Sequence, residues 1–306
     1  MKKYTNAEES FLIDNYPSKG ILFCSESLNV PIASLKSKVI YMRLRLNREV
    51  RGKIIRESKK KKLNSMYSVN PENFFEPKTP EVAYILGLLW ADGYVLKRRS
   101  SNSVSLSVQE EDFLYFEPVL KKTGRWNIRY YQHKNRKPQG LAEISNRPLV
   151  DFLIEHDYRT KSFESACKIL SIIPDNLKHY WFRGLFDGDG CIYFNPSGLH
   201  IKISICSSYE QNWKYIENLF KLVLNDDRFF IRRKIRKNGN KHSKIEVIKR
   251  STILKFLNYI YNGYEIDKIG LPRKYEKYLK VVDRERKCSE KRKIISPHIP
   301  NSGIIQ

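Results

Sequence analysis

Apolar and polar positions between residues 79 and 261 run through the same succession of periods twice. The first pass opens on 81–91, where Val82, Ile85, Leu86, Leu88 and Leu89 leave no polar face, the mark of a helix buried on all sides. Thr79 can cap that helix, Pro80 suits its first turn, and Glu81 complements the positive end of its dipole. Strand-like segments follow near 93–98 and 103–109, then a helix near 111–122, a hairpin over 126–145 and a helix at 147–156. After Pro174 and Asp175 the second pass brings a helix at 177–188, strands near 191–195 and 199–206, a helix at 209–224, a hairpin over 229–249 and a helix at 251–261. Each pass reads αββαββα. Such a repeat predicts two similar halves packed together: an α+β fold of pseudo-symmetric half-domains at 79–175 and 176–283.

The flanks are patterned differently. Thr5 with Glu8 forms a capping-box signature, and the helix it opens turns Phe11 and Leu12 inward. Proline disfavours helix in its predecessor, so this helix should stop near Tyr16 and Pro17. Further helices over 21–28 and from 32 to about 44 complete a small three-helix domain at 1–47, its third helix bearing Lys36, Lys38, Arg43 and Arg45. Residues 48–78, with Arg51, Lys53, Arg56 and Lys59 to Lys62, read as a basic linker, and 284–306 as a basic tail.

Charge sharpens this picture. The 306 residues hold 57 Lys plus Arg against 33 Asp plus Glu, a net +24, which points to a polyanion and most often to nucleic acid. A membrane-surface or ribosome-associated protein would share that balance, but no apolar run is long enough to span a bilayer. The start, Met1-Lys2-Lys3-Tyr4-Thr5, carries no secretory signal. The five cysteines (Cys24, Cys167, Cys191, Cys206, Cys288) are scattered and never spaced CxxC, so neither a disulfide framework nor a zinc site is expected. The six histidines are equally dispersed. A reducing compartment, the cytoplasm of a bacterial or phage-infected cell, fits best.

The two buried helices end alike. Ile85-Leu86-Gly87-Leu88-Leu89-Trp90-Ala91-Asp92-Gly93 and Phe182-Arg183-Gly184-Leu185-Phe186-Asp187-Gly188-Asp189-Gly190 are one nine-residue pattern, with aspartates 97 residues apart. Singly, either aspartate reads as a helix C-cap before glycine; as a duplicated pair in a basic chain, they read as metal-binding acids over a phosphodiester. The two stretches resemble the paired motifs of single-chain LAGLIDADG homing endonucleases, and the likeness runs over roughly 79–280. It implies that the motif helices cross with backbones nearly touching, which the small residues Gly87, Gly184, Ala91 and Gly188 would permit. It further implies catalysis by Asp92 and Asp189 and two or three Mg²⁺ ions held by Asp92, Asp189, Gly93 and Gly190 with the scissile phosphates. Lys161 and Lys268 stand in matching contexts, Tyr158-Arg159-Thr160-Lys161 and Glu265-Ile266-Asp267-Lys268, and would be the basic residue of each half. Trp90 and Arg183 depart from the family's pattern, in place of its first acid and of a small residue.

The same resemblance makes the strands a reading surface. Arg232, Lys234 and Arg236 share a face, with Ile231 and Ile235 on the other; His200, Lys202 and Ser204 alternate with Ile201, Ile203 and Ile205. Asn127, Arg129, Tyr131 and His133 form a polar face in the first half, with Lys97 and Arg98 at the end of its first strand. A two-stranded ribbon fits the major groove, and unlike halves suit an asymmetric site on double-stranded DNA, read by a monomer. The three helices at the start resemble a helix-turn-helix of the Myb/SANT-like kind. Site-specific endonuclease is therefore the leading expectation. Intron RNA maturase, with RNA as partner, and a DNA-binding regulator on the same scaffold are the alternatives.

Overall fold

A computed structural model describes residues 4–54, 57, 72–99, 101–195, 200–235, 239 and 241–295. The chain divides into two compact units, Met1–Ser68 and Val69–Gln306.

In the first unit α1 (Asn6–Leu28) opens on the expected capping box: the Glu8 N–H donates to Thr5 Oγ1 at 3.3 Å, and the Thr5 N–H to Glu8 Oε2 at 2.8 Å. The helix does not stop at Pro17, which lies inside it; the break falls at Gly20, where φ is +80°. A proline forfeits one hydrogen bond, whereas glycine alone enters the left-handed region without strain, so the bend settles there. α2 (Ile32–Tyr41) then packs Leu35 against Leu12, Cys24 and Val30. The first residues of the expected linker, 48–54, are helical, and Ile54 lies beside Gly20. The Lys59–Lys62 run and Arg56 fall outside the described residues.

The second unit carries the repeat. After a short α3 (Glu72–Phe75), which buries Phe74, the first half runs α4 (Pro80–Asp92), β1 (Gly93–Lys97), β2 (Asn102–Gln109), α5 (Glu110–Thr123), β3 (Asn127–Tyr131), β4 (Gln139–Ile144) and α6 (Arg147–Glu155). α7 (Cys167–Ile172) connects it to α8 (Lys178–Asp189), β5 (Gly190–Phe194), β6 (Ile201–Ser207), α9 (Lys214–Asn218), β7 (Phe230–Ile235), β8 (Lys241–Val247) and α10 (Arg250–Ile260). The short α11 (Tyr264–Asp267) and the long α12 (Pro272–Ile295) complete the chain's described part. Both sheets are antiparallel and share one topology, β1-β2-β4-β3 and β5-β6-β8-β7.

Two elements depart from the sequence reading. The helix expected over 209–224 begins only at Lys214 and passes into a π-turn, Leu219–Val223. Ser243 of β8 explains the late start: its hydroxyl accepts from the Gln211 N–H and the Trp213 indole and donates to the Tyr209 carbonyl at 2.7 Å, holding 209–213 off the helix. The basic tail expected from residue 284 is, through 295, a continuation of α12.

Every residue from Val82 to Trp90 in α4 and from His179 to Asp187 in α8 is buried, because the two helices pack chiefly on each other. Glycine sets how close they come. A Cβ on Gly87 would stand 1.9 Å from the Trp181 carbonyl oxygen, and one on Gly184 2.1 Å from that of Tyr84. Nearer the ends, a Cβ on Gly188 would meet that of Ala91 at 2.3 Å. Trp90 sits in this interface against Trp181, Tyr158 and Tyr215, which accounts for an aromatic where the motif elsewhere carries an acid. Gly87→Ala or Gly184→Ala should lower stability by about 1–3 kcal/mol or more, since the obstacle is backbone and cannot turn aside. Thermal melts check this, and unchanged midpoints for both would contradict the contact.

Candidate active site

The helix crossing delivers two carboxylates to neighbouring places. Asp92 closes α4 and Asp189 closes α8, and each helix runs straight into a strand through glycine. Capping is done by the backbone: the Gly93 N–H donates to the Leu89 carbonyl and the Gly190 N–H to that of Phe186. The aspartate side chains are therefore not required as caps, and Asp92 reaches solvent.

A lysine closes each helix end, the half-buried Lys161 on α4 and the buried Lys274 on α8. Lys161 donates to the carbonyls of Leu89, Ala91 and Gly93 at 2.9, 2.9 and 2.7 Å. Lys274 does the same for α8, reaching Phe186, Asp187 and Gly190 at 2.6, 2.7 and 2.7 Å. Each ammonium thus spends its three protons on the negative end of a helix dipole. The sequence context points to Lys268 as the second basic residue, but it is Lys274 that reaches the end of α8. Lys268 is exposed, with φ at +53°, and pairs with Glu265 on α11. The segment from the end of α10 to Lys274 is longer than that from the end of α6 to Lys161, so matching by local context points to Lys268 instead. The signal was there, since Lys274 lies on the apolar stripe Leu271, Tyr275, Tyr278 and Val281 of a helical period.

Burial and like charge govern the carboxylates. Asp189 is pushed up to about 7, first by desolvation and then by Asp92, with Lys161 and Lys274 opposing. Asp92 is raised by desolvation too, against the pull of both lysines. Desolvation brings both ammonium groups down to about 8, against the carboxylates. Such a pair of raised oxygen donors fits a divalent cation, which would relieve the repulsion between them. The carbonyls of Gly93 and Gly190 each accept a lysine ammonium group, which leaves one lone pair on each oxygen. Among the described residues no group of three or more His, Cys, Asp or Glu is placed to hold a metal, so a cation at the two aspartates would need further oxygens from water or a phosphate.

Around the site Arg183, the other departure from the motif, and Asp187 are held in structural contacts. Arg183 is fully buried and donates to the carbonyls of Ile260, Asn262 and Ile269 and to Asp267, tying α8 to the segment between α10 and α12. Asp187 accepts from the Tyr84 hydroxyl of α4 at 2.7 Å and from the Leu271 N–H at 3.0 Å, joining the halves below the aspartates.

Each sheet turns one face to helices and presents polar residues on the other. In the second half that face holds Lys202 and Ser204 on β6, Arg232 and Lys234 on β7, and Lys244 on β8. At its centre lies Glu246, 3% exposed, which pairs with Lys202 at 3.0 Å, Lys244 at 2.9 Å and Arg232. The sequence reading missed both Glu246 and Lys244. Glu143 occupies the equivalent register in the first half and pairs with Arg129 at 2.7 Å. Asn127 is exposed beside it, while Tyr131 bonds Ser107 and Gln139 and packs edge-on with the exposed His133. Arg98 and His200 are exposed at strand ends. Arg236 lies outside the described residues.

Two expected contacts are placed elsewhere. Lys97 falls in register with Val95 on the helix-covered face and pairs with Asp151 of α6 at 2.7 Å. In the first unit Lys38 is drawn to Glu9 and lies over the rings of Tyr4 and Tyr41, whereas Lys36, Arg43 and Arg45 are exposed. Polar alternation locates a face but not the partner on a neighbouring element.

Residues 176–261 match the LAGLIDADG-like domain family. An uncharacterized protein of Methanocaldococcus jannaschii is 29% identical over 125 residues, which is 39% of this chain and 44% of that protein. The intron-encoded RNA maturase bI4 of Saccharomyces cerevisiae is 24% identical over 153 residues, 45% of this chain and 24% of the maturase. The matched stretch thus spans less than half of either relative. Among solved structures, the LAGLIDADG homing endonuclease I-GzeII in complex with its DNA target aligns over 70% of this chain and 91% of that one, at 12% identity and a TM-score of 0.42.

The cation clamp has a pH signature. Its three hydrogen-bonding partners hold Glu246 down to about 2, although burial opposes them. An acid depressed on folding stabilises the native state above its ordinary range and loses that contribution as pH falls through its folded value. Glu246→Gln should therefore cost about 1–2 kcal/mol near neutrality, and the difference from wild type should shrink between about pH 4 and pH 2. Melts across that range check it; a pH-independent difference would contradict the clamp.

Proposed function

We propose that the second unit is a site-specific double-strand DNA endonuclease, of the homing endonuclease kind, acting as a monomer on an asymmetric site. The observation that carries this reading is the meeting of Asp92 and Asp189 at the crossing of two buried helices, each end closed by a lysine. A nucleic-acid-binding scaffold needs no such pair; two neighbouring carboxylates raised above their ordinary range cost stability, and such pairs concentrate where side chains do chemistry. The same pair favours cutting over the alternatives, a DNA-binding regulator and an RNA maturase, the second of which rests on the similarity to bI4.

In this reading Asp92 and Asp189 would hold divalent cations, Mg²⁺ above all, whose charge would serve to polarise a scissile phosphate and to stabilise a leaving oxygen. Lys161 and Lys274 position the carboxylates by fixing the helix ends, and add positive charge where the phosphate gathers negative charge. Lys202, Arg232, Lys234 and Lys244 outnumber Glu246 on their sheet face and would track the DNA with residual positive charge. Asn127, Arg129 and His133 would read the other half-site, giving the asymmetry. The first unit, with Lys36, Arg43 and Arg45 exposed, is assigned to added DNA contact outside the cut site.

Asp92→Asn and Asp189→Asn should each abolish double-strand cutting while DNA affinity stays within a few-fold, because phosphate contacts from basic side chains supply most of the binding. Cleavage of a randomised duplex library by the wild-type protein supplies the substrate. Wild-type rates in both variants would refute the assignment. Removing residues 1–68 should leave cutting intact at high protein concentration but weaken binding and flatten its dependence on salt. Footprints and salt slopes identical to full length would show that the first unit does not touch the DNA.

A further inference from the structure

Each half of the second unit reaches into the other beside the lysine that closes its motif helix. Asp112, in the first turn of α5, accepts two hydrogen bonds from Arg273, at 2.7 Å from Nε and 2.6 Å from Nη2. Arg273 is the chain neighbour of Lys274, which closes the end of α8 in the opposite half. The contact runs the other way as well. Gln211, ahead of α9 at the place corresponding to Asp112 after β2, donates its side-chain amide to the main-chain carbonyl of Lys161 at 3.1 Å. Lys161 closes the end of α4. Gln211 is itself buried, its backbone N–H held by Ser243, and beside it Tyr209 packs edge-on against Phe163, two residues past Lys161.

Sequence distance makes the pattern informative. Asp112 and Arg273 are 161 residues apart, and Gln211 and Lys161 are 50 apart across the connection between the halves. The chemistry differs, an ion pair on one side and an amide-to-carbonyl bond on the other, so a copied side chain does not explain the equivalence. What the two contacts share is their place, at the turn from the second strand into the following helix, and their target, the segment bearing the other half's lysine.

The geometry points to Asp112 and Gln211 as positioning residues that hold each half's lysine, and through it the carboxylate end of the motif helix, from the opposite half. Neither aspartate is then placed by its own half alone. On the nuclease reading, on which this consequence rests, the site that cuts each strand depends on a brace from the half lying over the other strand.

The test uses full-length Asp112→Ala and Gln211→Ala. Hydrogen exchange of the DNA-free protein reads the bracing without any activity. Asp112→Ala should speed exchange at 186–190, the end of α8, and leave 89–93 unchanged; Gln211→Ala should do the reverse. Gln211→Glu, which cannot donate from its side chain, should behave like Gln211→Ala. The exchanged pair Asp112→Arg with Arg273→Asp should recover wild-type exchange at the end of α8. Exchange that rises only in the mutated residue's own half, or nowhere, overturns the inference. On DNA that the wild type cuts, each variant should accumulate nicked product, with the rate of one strand reduced on the order of tenfold to a hundredfold at unchanged affinity. The slowed strand should differ between the two variants; the same strand slowed in both also overturns the inference. A wild-type protein that cuts nothing would refute the nuclease reading, while the exchange pattern would still decide the bracing.

Discussion

The contact between the backbones of α4 and α8 sets every other distance in the second unit. Gly87 stands against the Trp181 carbonyl and Gly184 against that of Tyr84, with no room for a methyl group on either side. Helices that touch through backbone have a fixed spacing, because no side chain remains to yield. Further along, Ala91 and Gly188 keep the axes close to the last turn, so Asp92 and Asp189 emerge beside one another. The sheets inherit their positions from the same contact, since each motif helix passes directly into the first strand of its sheet.

Bringing two helix C-termini and two carboxylates together concentrates negative charge, and the fold answers with cations. Lys161 and Lys274 neutralise the terminal carbonyls, Arg183 holds the segment that follows α10, and the Tyr84 hydroxyl donates to Asp187. None of these groups removes the repulsion between the two aspartates, and both carboxyls stay above their ordinary range. The remaining imbalance is what an incoming cation would satisfy. Stability and proposed chemistry thus draw on one arrangement: the helix ends are stable because lysines close them, and the carboxylates are left to an external charge.

Much of this was legible in the sequence because it is written in periods. A helix apolar on all sides, the duplicated Asp-Gly ending and the alternation in each hairpin all follow from local pattern, and within the repeat the strands, and every helix but that expected over 209–224, lie within a residue or two of their expected bounds. The failures share a different cause. Local context points to Lys268 and not Lys274 because the segment after α10 is longer than its counterpart after α6, and only the tertiary fold shows which ammonium reaches the helix end. Glu246 lay unmarked on a strand otherwise read for its basic neighbours, and Lys97 alternates correctly yet faces α6. The late start of α9 turns on the hydroxyl of Ser243, 30 residues downstream of Trp213. Periodicity gives faces and lengths; it does not give the partner supplied by a distant element.

On the proposed reading, Asp92 and Asp189 would form one shared cation site and not two separate ones. Paramagnetic resonance of Mn²⁺ titrated into the protein bound to a duplex selected from a randomised pool tests it directly. A shared site predicts that replacing either aspartate with asparagine weakens every bound ion together. Each variant losing one ion while holding the rest with undiminished affinity would mean that the carboxylates act independently, and would contradict the account.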